Sequence, residues 1–288
     1  MANTIASRVY RDKYRSAVLD NTLRGAMVTE KITMVDRENN MRIQSPYSST
    51  PTVTVQALAG TYSVADFTTT DDTLTVTDEF IVAEHIKDFE ESLTRFDLFA
   101  ARTEQMAFAV AKKIDEFVLN NLCEDGTGTY TTPVGGFTTA ANVNVILANI
   151  ASKVAGFSES MNGMYVIVEN TDLVGIIPAQ LGTGWSFADS AANNGFITSM
   201  QGIDIYVVRS GTFVDETTSS VSGTKTWTNL AHRVGGVKGV TTYAAPRGLT
   251  FDEKGISGKT GKEIVVNGLV GFKAWTPRAT LTIDITLA

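Results

Sequence analysis

The sequence predicts an α+β chain, on three observations. A long apolar stripe at helical spacing runs through TRFDLFAARTEQMAFAVAKKIDEFVLNNL, residues 94–122. Before it, MRIQSPYSSTPTVTVQALAGTYSVADFTTTDDTLTVTDEFIV (41–82) alternates Thr with Val and Leu, the period-two pattern of strands. After it, helical and strand patterns take turns, and the final ten residues, ATLTIDITLA, alternate strictly.

The elements follow in order. Residues 4–24 read as an amphipathic helix with Ile5, Val9, Val18 and Leu19 on its apolar side. It has too few core-grade side chains to be packed inside a domain, so an arm is expected. That arm is basic: residues 1–35 carry six Lys and Arg against three Asp and Glu, a net +3 in a chain of net −7, leaving −10 for the rest. A basic arm on an acidic body suits an acidic neighbour or a phosphate backbone, and a plain solvated helix is the equal alternative.

In the β excursion, Val53 and Val55 alternate with Thr52 and Thr54, and Leu74 and Val76 with Thr75 and Thr77. Phe80 and Ile81 continue the pattern less cleanly. Pro46 and Pro51 confine the first part to an edge or a loop. A two-stranded arm is marginal alone in water, so this one is expected to lie on something.

In the long helix, Phe96, Phe99, Thr103, Met106, Val110, Ile114 and Phe117 step by three or four, with Ala100, Ala107 and Ala111 widening the stripe. Arg102, Gln105, Lys112, Lys113 and Glu116 take the opposite side. At 1.5 Å per residue the segment would be about 43 Å long, a beam against a sheet. Asp125, Gly126 and Gly128 end it.

The second block opens with a turn-rich connection at 126–140. A helix is expected over Asn142–Val154 and a buried strand over 164–170. A helix capped at Thr171 and Asp172 should stop near Pro178. Another strand is expected over 203–210, with loops at 182–196 and 217–229. The closing strands are 263–272 and 279–288; in the latter Leu281, Ile283, Ile285 and Leu287 share one face.

Chemistry is harder to find. The single cysteine, Cys123, permits no intrachain disulfide and fits a reducing compartment. No run approaches the roughly 18 apolar residues of a membrane-spanning helix. The first residues hold no apolar signal region, so a chain made and kept in a cytoplasm is expected. The acidic balance argues against a general nucleic-acid binder.

Only His85 and His232 offer an imidazole base, and neither accompanies a nucleophile elbow. SGKTGKE (257–263) has Glu253 where a phosphate loop needs its first glycine. GGVKG (235–239) lacks the third glycine of a dinucleotide fingerprint and reads instead as a bulge or close strand packing. Asp71–Asp72 and Glu90–Glu91 lack the alternating oxygens of a calcium loop. Trp185, Trp227 and Trp275 are scattered. No catalytic, cofactor-binding or metal residue is therefore expected. A hydrolase whose paired carboxylates meet only in space leaves no signature, and is carried as the alternative.

The order of elements resembles the HK97-like major capsid proteins of tailed double-stranded DNA bacteriophages, in layout over nearly the whole chain. The resemblance implies an N-arm (1–42), a β-hairpin E-loop (43–80), a P domain with spine helix (81–135), an α/β A domain (136–245) and closing P-domain strands (246–288). It implies no enzyme, but a structural protein that assembles through hexamers and pentamers into an icosahedral head around double-stranded DNA. Assembly would take place in the host bacterial cytoplasm and the product would be the capsid of a virion.

Its partners would be other copies of itself, a portal, a possible decoration protein, and DNA touched on the inner face without sequence-specific contacts. The chain starts directly in the arm at Met1, so the resemblance points to a separate scaffolding protein rather than a cleaved extension. Arg8, Arg11, Arg15, Val53, Val55, Leu74 and Val76 are the expected inter-subunit contacts. Phe96, Phe99, Met106, Val110, Ile114 and Phe117 should seat the spine helix on the closing sheet. The shell of a bacterial encapsulin-type nanocompartment, which shares the fold, is the second reading.

Overall fold

A computed structural model describes residues 27–38, 40–48, 68–86, 98–157, 163–182, 196–213, 231–246, 250–255 and 261–288, with positions 53, 55 and 60. The expected helix at 4–24, with Arg8, Arg11 and Arg15, lies outside the described residues, as do Phe96 and almost all of both loops at 182–196 and 217–229. Phe99 is in a helix, but its side chain is outside the description.

Four helices are described: α1 (Met27–Ile32), α2 (Leu98–Asp125), α3 (Ala140–Phe157) and α4 (Leu173–Gly182). The first sheet holds β1 (Met34–Asp36), β10 (Thr241–Ala244), β12 (Lys262–Ala274) and β11 (Thr250–Gly255) in that order, with β4 (Asp78–Ile86) also paired to β12. Strand β12 can serve so many neighbours because it is 13 residues long. Its first part lies between β4 and β11, and its last four residues pair with β10. Among the described residues, β4 has no strand on its other side, and Ile81 there is exposed.

The second sheet runs β5 (Gly128–Thr131), β13 (Thr282–Thr286), β9 (His232–Val237), β6 (Met164–Glu169), β8 (Ile203–Val208) and β7 (Phe196–Met200). A third, two-stranded sheet pairs β2 (Arg42–Ser48) with β3 (Thr69–Thr75) antiparallel, Arg42 opposite Thr75 and Ser48 opposite Thr69.

MYVIVE is buried at every position because both faces of β6 are covered. Tyr165 and Ile167 face α2, in a core shared with Phe80 of β4, Val234 of β9 and Ile264, Val266 and Val270 of β12. Val166 and Val168 face the other way, into a second core with Ile146, Leu147 and Ile150 of α3, Ile176 of α4, and Ile283 and Ile285 of β13. A near-continuous apolar run is what a strand covered on both faces requires.

Helix α2 begins as a surface helix and becomes an interior one. Gln105 and Ala109 are exposed while Met106 and Val110 are buried. From Ile114 to Asn120 every residue is buried. Gly126, at its end, has the β13 backbone so near that a Cβ would sit 3.0 Å from the Thr282 carbonyl oxygen. The sequence places Glu116 on the solvent side, yet it is buried, held at its edge by Lys112 and Lys113 at 3.3 and 2.9 Å.

Several expectations are corrected. Helix α4 runs through Pro178 instead of stopping there. The proline removes one N–H, whose acceptor would have been the carbonyl of Val174. Val174 is exposed, so water can satisfy that oxygen. The helix start is also shifted: a 3-10 turn at Asn170–Asp172 precedes it, and the capping pair is Glu169 with Asp172. The closing alternation starts in a second 3-10 turn (Thr276–Leu281), and only Thr282–Thr286 is strand. That strand joins the second sheet, while β12 belongs to the first.

The excursion differs too. Its paired strands are 42–48 and 69–75, and 78–86 has left it for the first sheet. At Gly236 a Cβ would meet the Leu281 carbonyl oxygen at 2.3 Å, so the glycines of GGVKG permit close strand approach.

Candidate functional site

The described chemistry begins with what is not assembled. Among the described residues no cluster of His, Cys, Asp and Glu could hold a metal ion, and no helix is long and apolar enough to cross a membrane. His232 and Cys123 both approach Asp284: the imidazole Nδ1 lies 2.8 Å from its Oδ1, and the thiol hydrogen-bonds the same side chain. A catalytic triad needs the histidine between acid and nucleophile, and here the carboxylate is in the middle. Burial, and then the Asp284 charge, push the Cys123 thiol up, which suppresses a thiolate. His85 Nε2 is buried, with no hydrogen-bond partner among the described residues.

A buried ionic knot closes the end of β6. Arg233, on β9, donates from Nε to Asp172 Oδ2 at 2.5 Å, from Nη2 to Glu169 Oε2 at 3.3 Å, and from Nη1 to the His232 carbonyl at 2.7 Å. Its guanidinium also lies 5.3 Å from the Phe213 ring centroid. Glu169 takes a second bond from the Gly211 amide at 3.0 Å. The knot ties β9, the start of α4 and the turn after β8 together, with all three charged groups nearly out of water.

Val53 and Val55, beyond β2, are 87% and 99% exposed. Leu74 and Val76 are not available contacts. They are 1% and 4% exposed and pack, with Ala244, against Ile43, Leu269 and Trp275 of their own chain. Their expected role between subunits is therefore corrected to that of a root that seats the arm on the first sheet. The physical reason is local: a projecting pair of strands needs apolar anchorage where it leaves the body.

Asp72 completes the root. Its Oδ2 accepts from both the amide and the hydroxyl of Thr276, each at 2.8 Å, and Lys273 Nζ lies 3.3 Å from Oδ1. The Trp275 indole donates to Thr242 Oγ1 at 2.9 Å beside it. Burial alone would raise the Asp72 carboxyl. The Thr276 bonds and Lys273 outweigh it and hold the group below its ordinary value. The sequence offered only an acidic pair inside a Thr-rich run, with no signal that Thr276, 204 positions on, would meet it.

Because the folded value is depressed, this stabilisation is present above the unfolded carboxyl pKa and is lost as pH falls through the folded one. Asp72→Ala should loosen the arm root by about 1–3 kcal/mol. Faster amide exchange in 69–75 at pH 7, with a smaller loss on acidification than in the parent, would register it; unchanged exchange would contradict the staple.

A cleft of about 970 Å³ opens on the other side of the root, between β1, β2 and the second 3-10 turn, where Arg37, Gln44, Tyr47, Trp275 and Arg278 meet. Of the predicted spine-helix set, Met106, Val110, Ile114 and Phe117 all lie in the core shared with β4, β6 and β12. Phe117 meets the Phe80 ring edge-on at 5.7 Å.

This arrangement is the HK97-like capsid fold, which solved phage structures share along most of the chain. A chain of the cyanophage P-SCSP1u capsid matches with a TM-score of 0.70 at 13% identity, covering 90% of this chain and 88% of that one. A chain of Mycobacterium phage Che8 matches at 0.65 and 17%, covering 85% and 84%. A chain of the virus-like particle from Pyrococcus furiosus matches at 0.62 and 11%, covering 96% and 99%. No protein-family model and no curated protein matches the sequence.

Proposed function

We propose that this chain is a major capsid protein: a tile that assembles with its own copies, through hexamers and pentamers, into an icosahedral head around double-stranded DNA. The observation that carries the proposal is the length of the likeness, which covers 90% of this chain against the cyanophage capsid chain. Such a chain has little use as a lone molecule. Its β2–β3 arm projects with Val53 and Val55 bare, and the body offers no assembled chemistry among the described residues.

In this reading residues 1–42 are the N-arm, 43–80 the E-loop, 81–135 and 246–288 the P domain, and 136–245 the A domain. Arg8, Arg11, Arg15, Val53 and Val55 touch other copies. Met106, Val110, Ile114 and Phe117 keep the beam rigid enough to hold the arm out. Closed rings bury the same patch on every copy, and many weak contacts together close a shell. A scaffolding protein and a portal serve assembly in a bacterial cytoplasm, a decoration protein can bind outside, and the product is a virion capsid. An acidic inner face lets DNA pass without gripping it.

A second reading keeps the shell and changes its contents, making the protein the wall of an encapsulin-type nanocompartment. The likeness to the virus-like particle chain, over 99% of that chain, supports it. No described feature favours the hydrolase.

Negative-stain microscopy of the expressed chain, alone and with its scaffold, tests the proposal. Rings, sheets or closed particles are expected. A compact monomer at every concentration would overturn it, and nucleic acid inside closed particles separates virion from compartment. Replacing 50–67 with a short Gly-Ser turn should leave β2 and β3 paired and the subunit folded, yet stop closure; normal particles would remove the E-loop assignment.

A further inference from the structure

Asp115 is a carboxylate inside the spine helix, 8% exposed, at the seam with α1. Thr29 of α1 donates its hydroxyl to Asp115 Oδ1 at 2.5 Å, and the Thr29 amide lies 3.4 Å from the same oxygen. No cation bonds to Asp115 among the described residues. The cations on these elements are paired with other carboxylates. Glu30 on α1 is engaged by Arg37. Glu116 on α2 is engaged by Lys112 and Lys113. Tyr243 on β10 is buried, with its phenol pushed up.

We infer that Asp115 is a proton-controlled latch: while its carboxyl is protonated, α1 is clamped to the spine helix, and loss of that proton to water lets α1 lift away. An isolated buried carboxylate among other carboxylates is held best as the neutral acid. Burial first, opposed by the Thr29 bonds and assisted by Glu30 and Glu116, pushes its pKa up to about 7. The latch is therefore poised near neutrality.

Helix α1 follows the basic arm in sequence, so the device would set how firmly the arm's end is held during assembly. That meaning rests on the shell reading; the latch itself does not.

The sign follows from linkage. A raised folded value means the closed state holds a proton that the open state gives up. Opening is rarest at low pH, grows as pH rises from the unfolded carboxyl value near 4 to about 7, and then levels off.

Hydrogen exchange of residues 27–32 in the full-length protein, corrected for intrinsic rates, reads this directly. The opening constant should rise about tenfold per pH unit in that window and be flat above it. Asp115→Asn should abolish the slope and keep α1 protected at pH 8. Thr29→Val removes a bond that favours the carboxylate, so it should move the plateau to higher pH.

Overturning results are a pH-independent opening in the parent, an Asn variant that keeps the parental slope, or a Val variant with an unmoved plateau. If Asp115→Asn fails to fold, the parental profile and Thr29→Val decide. Particles without a titrating α1 would sink the latch and spare the shell; a titrating α1 without particles would do the reverse.

Discussion

Val110→Asp is expected to unfold much of the chain's shared core. Val110 is buried between Met106 and Ile114 on α2, in the same apolar cluster as residues of both large sheets. The substitution removes a branched apolar side chain and installs a carboxylate with no cation to meet it. The cost should be on the order of 3–5 kcal/mol, a large part of a typical domain's stability. Urea unfolding followed by circular dichroism checks it, and insoluble expression would agree. Soluble variant with an unchanged midpoint would show that the helix does not seat where the structure puts it.

Arg233→Ala should be of similar size for a different reason. The pair Asp172 and Glu169 is buried with Arg233, and truncation strands two carboxylates away from water. Breaking a buried pair by removing one partner costs about 3–5 kcal/mol, even where the intact pair contributes little net stability. The knot also fixes the start of α4 and the turn at Gly211, so exchange should quicken at both places. Arg233→Lys keeps the charge but loses the planar fork and should fall between. A loss under about 1 kcal/mol for the alanine variant would mean the carboxylates find other partners or protons.

The parts of the fold that could be read early are those written in a local period. The 3.6-residue stripe of Met106, Val110, Ile114 and Phe117 marks one buried face without knowledge of any partner. Likewise the run MYVIVE announces cover on both sides. What local period cannot give is the identity of the partner. The alternation of Ile283 and Ile285 is the same whichever sheet receives the strand, and only tertiary structure places it between β5 and β9.

Leu74 and Val76 show the same limit. Thr alternation fits a projecting arm along its whole length, and nothing in it marks the few residues where the arm is rooted. Pro178 misled because a proline usually ends or kinks a helix, and nothing local in the sequence shows that α4 continues through it. Asp115, Asp72 and the Arg233 knot were invisible because each joins positions dozens to hundreds of residues apart, and a polar residue bound to a distant partner looks locally like a solvated one.

An edge strand carries a cost before any assembly happens. Among the described residues β4 is an edge strand, and an edge that carries an exposed apolar side chain such as Ile81 favours contact with a second strand. Asp78 and Glu79 at its start act as gatekeepers, repelling a second strand of like charge.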